Sequence, residues 1–520
     1  MGIVLAIAIL VVYAAALVAI LRVPFRALGV LVAGMAVHNF MLMILLRLGT
    51  PGFAVRVVQS WKEGILILLG VLVAQRVWRA WGAPTPTLPR ERGREISARG
   101  RGKAFQRARE ILRRLTPMDW VAVAFAVLLV IYLLMPARIL HNEPGYARRV
   151  IEFRQLFLLP LLYLYSRVFW PARREDLTWA FRLILAAAAV VGLFGIIELF
   201  YIPTTTWLNL GITQLSDWLH YAYNGPQHFP EYFFQTTSEG LLLRRMVSTY
   251  VSPLGIAYTG LLIIPLAARL VDARRTGLPT WFKGVSIALL VVAVMFSVTR
   301  LAIALAVIEF ALLLILLRRR WLLAAVPAVI VLALVVVFQY ANFGPITYYD
   351  LSPVPVRPKH MALGGSTSDP SIRGHMATLR GDIQYAIIHP LGTGLGSSIH
   401  QFGTSGGRGE SAIFDVFDDA GLVTGALYLL LYALAIYHGY RAWRTTADDP
   451  LLSALPLVAC VGGLILAPIA LTSEVNGDFS VTFLFWWAAG FALTARIKAS
   501  NLSPRMVAPT LPRGASEITE

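Results

Sequence analysis

Charge is what this 520-residue chain has least of. Asp, Glu, Lys and Arg together make up 14% of it, against 57% hydrophobic residues and a mean hydropathy of +0.67. A water-soluble protein of this length needs more charge than that to cover its surface, so the composition points away from a soluble fold. Cysteine is nearly absent too. Cys460 stands alone in an apolar run, which excludes disulfides within the chain and thiolate metal sites. The sequence has no P-loop, no Gly-x-Gly-x-x-Gly opening a helix, no His-Glu-x-x-His and no clustered His/Cys ligands, and its nine histidines are scattered. With no nucleotide or other cofactor site visible, no cofactor is expected and an energy-coupled pump is disfavoured. Lysine is scarce as well, at 5 of the 46 basic residues, so an isolated arginine carries little information by itself. The N-terminus lacks a basic region ahead of its first apolar stretch, and its first positive charge is Arg22. That pattern predicts a retained first helix with its N-terminus outside rather than a removable signal peptide.

What the chain has in plenty is long apolar runs. They fall near 2–21, 27–46, 63–79, 119–137, 152–170, 177–201, 248–271, 284–299, 300–317, 321–340, 411–437, 451–472 and 479–497. Each is about long enough to cross ~30 Å of hydrocarbon. The expected fold is an all-α polytopic membrane protein with 12–13 transmembrane helices; a β-barrel would show short alternating strands instead. The net charge of +18 sits mainly in loops. Between Pro84 and Met118 ten basic side chains face three acidic ones, as the positive-inside rule asks of a cytoplasmic segment in contact with anionic lipids. Arg173, Arg174 and Arg182, then Arg274, Arg275 and Lys283, then Arg318 to Arg320, then Arg441 and Arg444 alternate consistently as further cytoplasmic loops. No nucleic-acid partner is implied. Residues 1–499 are read as one transmembrane domain with a basic loop at 80–118 and two long loops, 202–247 and 341–410, on the outward side; 500–520 reads as a disordered cytoplasmic tail. Long loops on a rigid helical frame usually carry function.

The most informative stretch is Glu410-Ser411, nine residues, then Gly421-Leu422-Val423-Thr424, where the second long loop meets the eleventh run. It resembles the signature of the O-antigen ligase and polymerase superfamily, in which a His followed by Asn, Ser or Gln precedes nine arbitrary residues and Gly-x-x-[Gly/Thr/Tyr]. Ser411, Gly421 and Thr424 fit, and Glu410 stands in the place of the histidine. Trp61-Lys62-Glu63, Arg245 through Pro253, Ser297-Val298-Thr299-Arg300 and Arg373 through Gly394 look like the same superfamily, in order along most of the chain. The resemblance implies a metal-independent glycosyltransferase at the bacterial inner membrane, multi-pass and active on the outer face. Its donor would be a polyprenyl-diphosphate-linked glycan and its acceptor a glycan or glycolipid. Polymerase is slightly favoured over ligase by the departure from histidine. The competing class is a transporter or flippase of a lipid-linked or anionic substrate, which would need broken or polar helices near the midplane of both halves.

Residue chemistry bears on this independently. A carboxylate at a water–membrane boundary has its proton affinity raised and suits a general base, which singles out Glu410; a helix-start carboxylate favoured by the helix dipole fits the same position. Guanidinium groups suit a departing diphosphate, because they stay charged and bind phosphate as a fork. Arg245 and Arg300, each at the outer end of a run, are the first candidates, though both also fit snorkelling interfacial side chains. Arg373 and Arg380, seven apart, share a face if helical. Arg154 and Arg148 flank the start of the fifth run. Asp415, Asp418 and Asp419 gather behind Glu410 at i, i+3 and i+4, positioned to orient Glu410, bind acceptor hydroxyls, pair with the arginines, hold a divalent cation, for which the family resemblance gives no support, or form a wet first turn. The aromatics of the first long loop suit either sugar stacking or a membrane-interface belt, with the belt favoured.

Overall fold

The computed structural model describes residues 1–82, 115–140, 145–220, 228–230, 232–236, 242–273, 276–347, 370–398 and 410–502. The bulk of the basic loop, the tail beyond 502 and the run Gly406-Gly407-Arg408-Gly409 lie outside the described residues. The chain is almost wholly helical. In order come α1 (Gly2–Arg22), α2 (Ala27–Arg47), α3 (Gly52–Gln59), α4 (Trp61–Gly82), α5 (Pro117–Leu134), α6 (Tyr146–Val168), α7 (Arg174–Tyr201), α8 (Thr204–Leu210) and α9 (Ile212–Leu219). Then follow α10 (Pro253–Asp272), α11 (Thr280–Phe296), α12 (Arg300–Leu316), α13 (Val326–Phe343), α14 (Pro370–Ile388), α15 (Phe414–Thr445), α16 (Pro450–Ala470) and α17 (Phe479–Leu502). Local sequence sets several boundaries. Thr116 and Asp119 cap α5 reciprocally, Ser252 accepts from the Gly255 amide ahead of α10, and Asp449 accepts from the Leu451 and Leu452 amides ahead of α16. Each is followed by proline at the first helical position, where no amide donor is lost.

Every one of the thirteen apolar runs lies on a helix. Nine of the described helices are long and apolar enough to cross a membrane, or ten if α3 and α4, bent by 46° at Ser60, count as one span. The other three differ for physical reasons. α6 carries Arg148, Arg149, Glu152, Arg154 and Arg167. α11 and α12 have 17 residues each, about 26 Å of helix.

The helices run alternately between two ends of one bundle. At one end the basic loops meet: Arg174 pairs with Asp449 at 2.9 Å, Arg319 with Asp272 at 2.7 Å, and Arg167 with Asp119 at 2.9 Å. At the other end the two long loops build a cap from α8, α9, α14 and a small antiparallel sheet. In that sheet β1 (Phe234–Thr236) pairs with β2 (Leu242–Arg244), and β2 with β3 (Ile346–Thr347), so one strand pair joins the two loops. α17 is buried along nearly its whole length at the centre. It packs against α6 so closely that a Cβ at Gly490 would lie 2.2 Å from the Tyr163 carbonyl oxygen, the small-residue contact typical of helices in lipid.

Candidate functional site

The site lies at the capped end, where α12, α15 and α17 begin. α15 is not continuous. At Gly421 its backbone turns to φ 77° and ψ 174°, a region open essentially to glycine alone. The break releases the Asp418 and Asp419 carbonyls, which accept from the amides of Thr393 and Gly394, both at 2.9 Å, while the Leu422 amide donates to the Pro390 carbonyl at 2.9 Å. The Tyr132 hydroxyl ties down the Leu391 carbonyl at 2.7 Å. Thus the Pro390–Gly394 segment and the Gly421 motif, 27 or more residues apart, form one interlocked turn. Broken backbone inside a helical bundle is tolerated only when its polar groups find such partners.

Glu410 stands just ahead of α15, half-buried, with its Oε2 2.8 Å from Nδ1 of His375 on α14. Because an ionised carboxylate can only accept, Nδ1 carries the proton and Nε2 is left as the basic nitrogen. The hydrogen bond that His375 donates to Glu410 raises the proton affinity of the imidazole above its ordinary value; partial burial and the neighbouring Arg300 pull it down. Arg300, the first residue of α12, is near enough to both His375 and Arg245 for its charge to act on each. The structure therefore brings Glu410, Arg300 and Arg245 into one neighbourhood and adds an imidazole to it.

Arg245 differs from its sequence-based role. It is 5% exposed, and its guanidinium is used up inside the protein. Nε donates to the Ser297 carbonyl at 2.7 Å, Nη1 to the Tyr232 carbonyl at 3.1 Å and Nη2 to Thr299 Oγ1 at 2.8 Å. Burial holds it below the usual guanidinium value, to about 10. Two of the three acceptors, Ser297 and Thr299, belong to the turn that presents Arg300, in which Val298 is held at φ 52°, a strained conformation for a β-branched residue. Arg245 is placed to support Arg300 rather than to touch a diphosphate itself. Its neighbour Arg244 is buried against Glu198 at 2.5 Å, and Glu198 also accepts from the amides of Val247 and Ser248. Glu198 thus fixes the Val247–Ser248 backbone within the Arg245–Tyr250 motif.

The aspartates behind Glu410 form no wet first turn. Asp415 is 7% exposed, Asp418 1% and Asp419 0%. Asp419 accepts from the Gly396 amide, the Ser397 hydroxyl and the Ser398 amide at 2.6, 2.7 and 3.0 Å, which locks the 393–398 loop. Asp415 faces Glu474, Asp419, Glu152 and Asp382. Five carboxylates from α6, α14, α15 and the α16–α17 turn thus share one region, four of them buried and Glu474 half-buried.

The remaining candidates scatter. Arg373 belongs to α14, but its side chain lies outside the described residues; Arg380 is on the same helix and exposed, turned away from the face that carries His375 and Asp382. Arg154 reaches Glu63 at 3.4 Å and lies 5.3 Å from the Phe479 ring, which Lys62 approaches at 5.2 Å. This puts the Trp61-Lys62-Glu63 motif beside α6. Of the first-loop aromatics, Trp207, Phe229 and Phe233 are buried in one cluster, with Trp207 and Phe233 edge to face at 5.6 Å. They are the core of the cap, neither an interfacial belt nor a sugar platform. Tyr221 and Tyr223 lie outside the described residues. His375 and Asp382, again seven apart, were missed by sequence reasoning. The signal available was the i, i+7 spacing, which applies to them as it does to the arginines. Among the described residues no group of His, Cys, Asp and Glu has metal-holding geometry. No protein-family model and no curated protein matches this chain.

Proposed function

We propose that this protein is a membrane glycosyltransferase that moves a polyprenyl-diphosphate-linked oligosaccharide or polysaccharide onto an acceptor hydroxyl. The observation that carries the reading is the His375–Glu410 pair set against Arg300. Glu410 holds the imidazole with Nε2 available. Nε2 takes the proton of the acceptor hydroxyl as its oxygen bonds to the anomeric carbon. The bond from that carbon to the diphosphate oxygen breaks, the electron pair leaves with the polyprenyl diphosphate, and Arg300 stabilises the negative charge. One displacement inverts the anomeric centre. In this scheme the base proposed for Glu410 alone becomes a dyad, and Arg245 is a positioning residue. Acceptor hydroxyls would donate to the buried carboxylates Asp418, Asp415 and Asp382. Arg154, Arg373 and Arg380 are left as outer contacts for the glycan or its phosphate.

In the same reading all thirteen helices span the bilayer of a bacterial inner membrane, the basic end is cytoplasmic, and the cap with its two loops faces outward. The donor enters from the lipid, the acceptor is a glycan or glycolipid, and no cofactor is used. Polymerase is again slightly favoured over ligase. A transporter or flippase is the second reading, and the break at Gly421 is the observation on its side.

Complementation of a deletion strain, read by the size of its surface glycan at matched membrane levels, tests the proposal. His375→Ala, Glu410→Gln and Arg300→Ala should each leave short or unattached lipid-linked glycan on the outer leaflet. Accumulation of that glycan on the inner leaflet would favour transport, and full-length surface glycan in all three variants would sink the assignment.

A further inference from the structure

At the basic end, far from the dyad, α15 and α17 lie side by side and carry four cations near their last turns. These are Arg441 and Arg444 on α15, and Arg496 and Lys498 on α17. Tyr437, Tyr440, Arg441 and Arg444 recur at i, i+3, i+4 and i+7 and therefore form one stripe. The guanidinium carbons of Arg441 and Arg496 share the Tyr437 ring, at 6.0 and 5.9 Å from its centroid, while Arg444 lies 5.9 Å from that of Tyr440. Lys498 Nζ sits 4.3 Å from the Trp170 ring, which is stacked on Phe491 at 4.6 Å. Arg496 Nη1 donates to His438 Nδ1 at 2.8 Å, a bond that staples the seam between the helices and requires that nitrogen to be unprotonated.

These cations differ from their neighbours. Elsewhere at this end Arg26, Arg167, Arg174 and Arg319 each have an aspartate. Among the described residues none of these four has a carboxylate partner, and Arg441, Arg444 and Lys498 are exposed. Helix C-termini favour a cation for the dipole; Arg441, Arg444 and Arg496 together on one seam repel each other unless an anion lies between them, while Lys498 lies on the Trp170 side of α17. Above the stripe, Leu430, one heptad before Tyr437, is 45% exposed and extends the same line as apolar surface.

We infer that the α15–α17 seam is a binding site for the headgroup of an anionic phospholipid, with phosphate oxygens accepting from Arg441 and Arg496 and an acyl chain lying along Leu430. The aromatic rings hold the cations at headgroup level, and the apolar stripe selects a lipid over a free phosphate. The inference does not depend on the transferase reading.

The test uses the full chain purified in neutral detergent, with lipid binding measured by native mass spectrometry and by the lipid-induced rise in unfolding temperature. Phosphatidylglycerol should bind and stabilise where phosphatidylcholine does not. Each cation near a surface contributes about fivefold, so Arg441→Gln with Arg496→Gln should weaken phosphatidylglycerol binding about 25-fold. Arg441→Gln with Arg444→Gln, which removes only exposed side chains, should weaken it similarly while the unliganded unfolding temperature stays unchanged. Arg318→Gln with Arg320→Gln, exposed charges at the same end, should bind as wild type. Equal loss in that control, equal binding of both lipids, or unchanged affinity in both seam variants would overturn the inference. So would equal stabilisation by inorganic phosphate at the same concentration.

Discussion

Gly421→Ala should be far more damaging than its single methyl group suggests. The residue sits at φ 77°, where a side chain costs about 1–3 kcal/mol in backbone strain. The new Cβ would also meet backbone, 2.7 Å from the Leu391 carbonyl carbon and 2.7 Å from the Pro390 oxygen. No side chain can swing aside to relieve that contact, so the Pro390–Gly394 segment must move. Three interlocking hydrogen bonds depend on its position: Leu422 to Pro390, Thr393 to Asp418 and Gly394 to Asp419. At about 1 kcal/mol each, their loss together with the strain brings the cost to about 4–6 kcal/mol. Gly381→Ala on α14 is the control, because a Cβ there meets nothing within 4 Å. In an ordinary helical position the same change should stabilise by up to about 1 kcal/mol. The protein supplies its own probe, since Cys460 is buried and is the sole cysteine. A thiol-reactive fluorophore therefore reports unfolding on heating. Wild-type behaviour of Gly421→Ala, or an equal loss of stability in Gly381→Ala, would refute the interlocked-turn argument.

Further tests address the dyad and its supports. A base at His375 must be neutral to act, so activity should rise with pH through its proton affinity. Glu410 raises that affinity and Arg300 lowers it, so Glu410→Gln should move the acid limb of the rate profile to lower pH and Arg300→Ala should move it higher; an unmoved limb in both removes His375 from the mechanism. The same raised affinity makes the pair's stabilisation fully present below the unfolded-state value and lost as pH rises through the folded one. Glu198→Ala strands Arg244 in a buried site and should cost about 3–5 kcal/mol, with Glu198→Ala plus Arg244→Met recovering much of it in the thiol assay. Arg245→Lys cannot satisfy three separated acceptors and should raise the KM for donor by displacing Arg300; an unchanged KM would mean that Arg300 is held without Arg245.

The helical frame was legible because hydrophobic runs and their interrupting charges are local properties of the chain. Thirteen runs landed on helices, the Ser297–Arg300 interruption fell between α11 and α12, and the helical guess for Arg373 and Arg380 matches α14. Glycines with unusual neighbours were legible as motifs, though not as two halves of one turn. What the sequence alone determined is which segments bury themselves in lipid and where charge is tolerated, since both follow from the cost of placing polar groups in hydrocarbon. Only the tertiary structure decided how the polar groups at the capped end were shared out. Arg245 was spent on a strained turn, three aspartates were buried, and Glu410 acquired His375 from a helix 35 residues upstream. Such partnerships depend on which helix faces meet across the bundle, and periodicity within one segment records the face but not its neighbour.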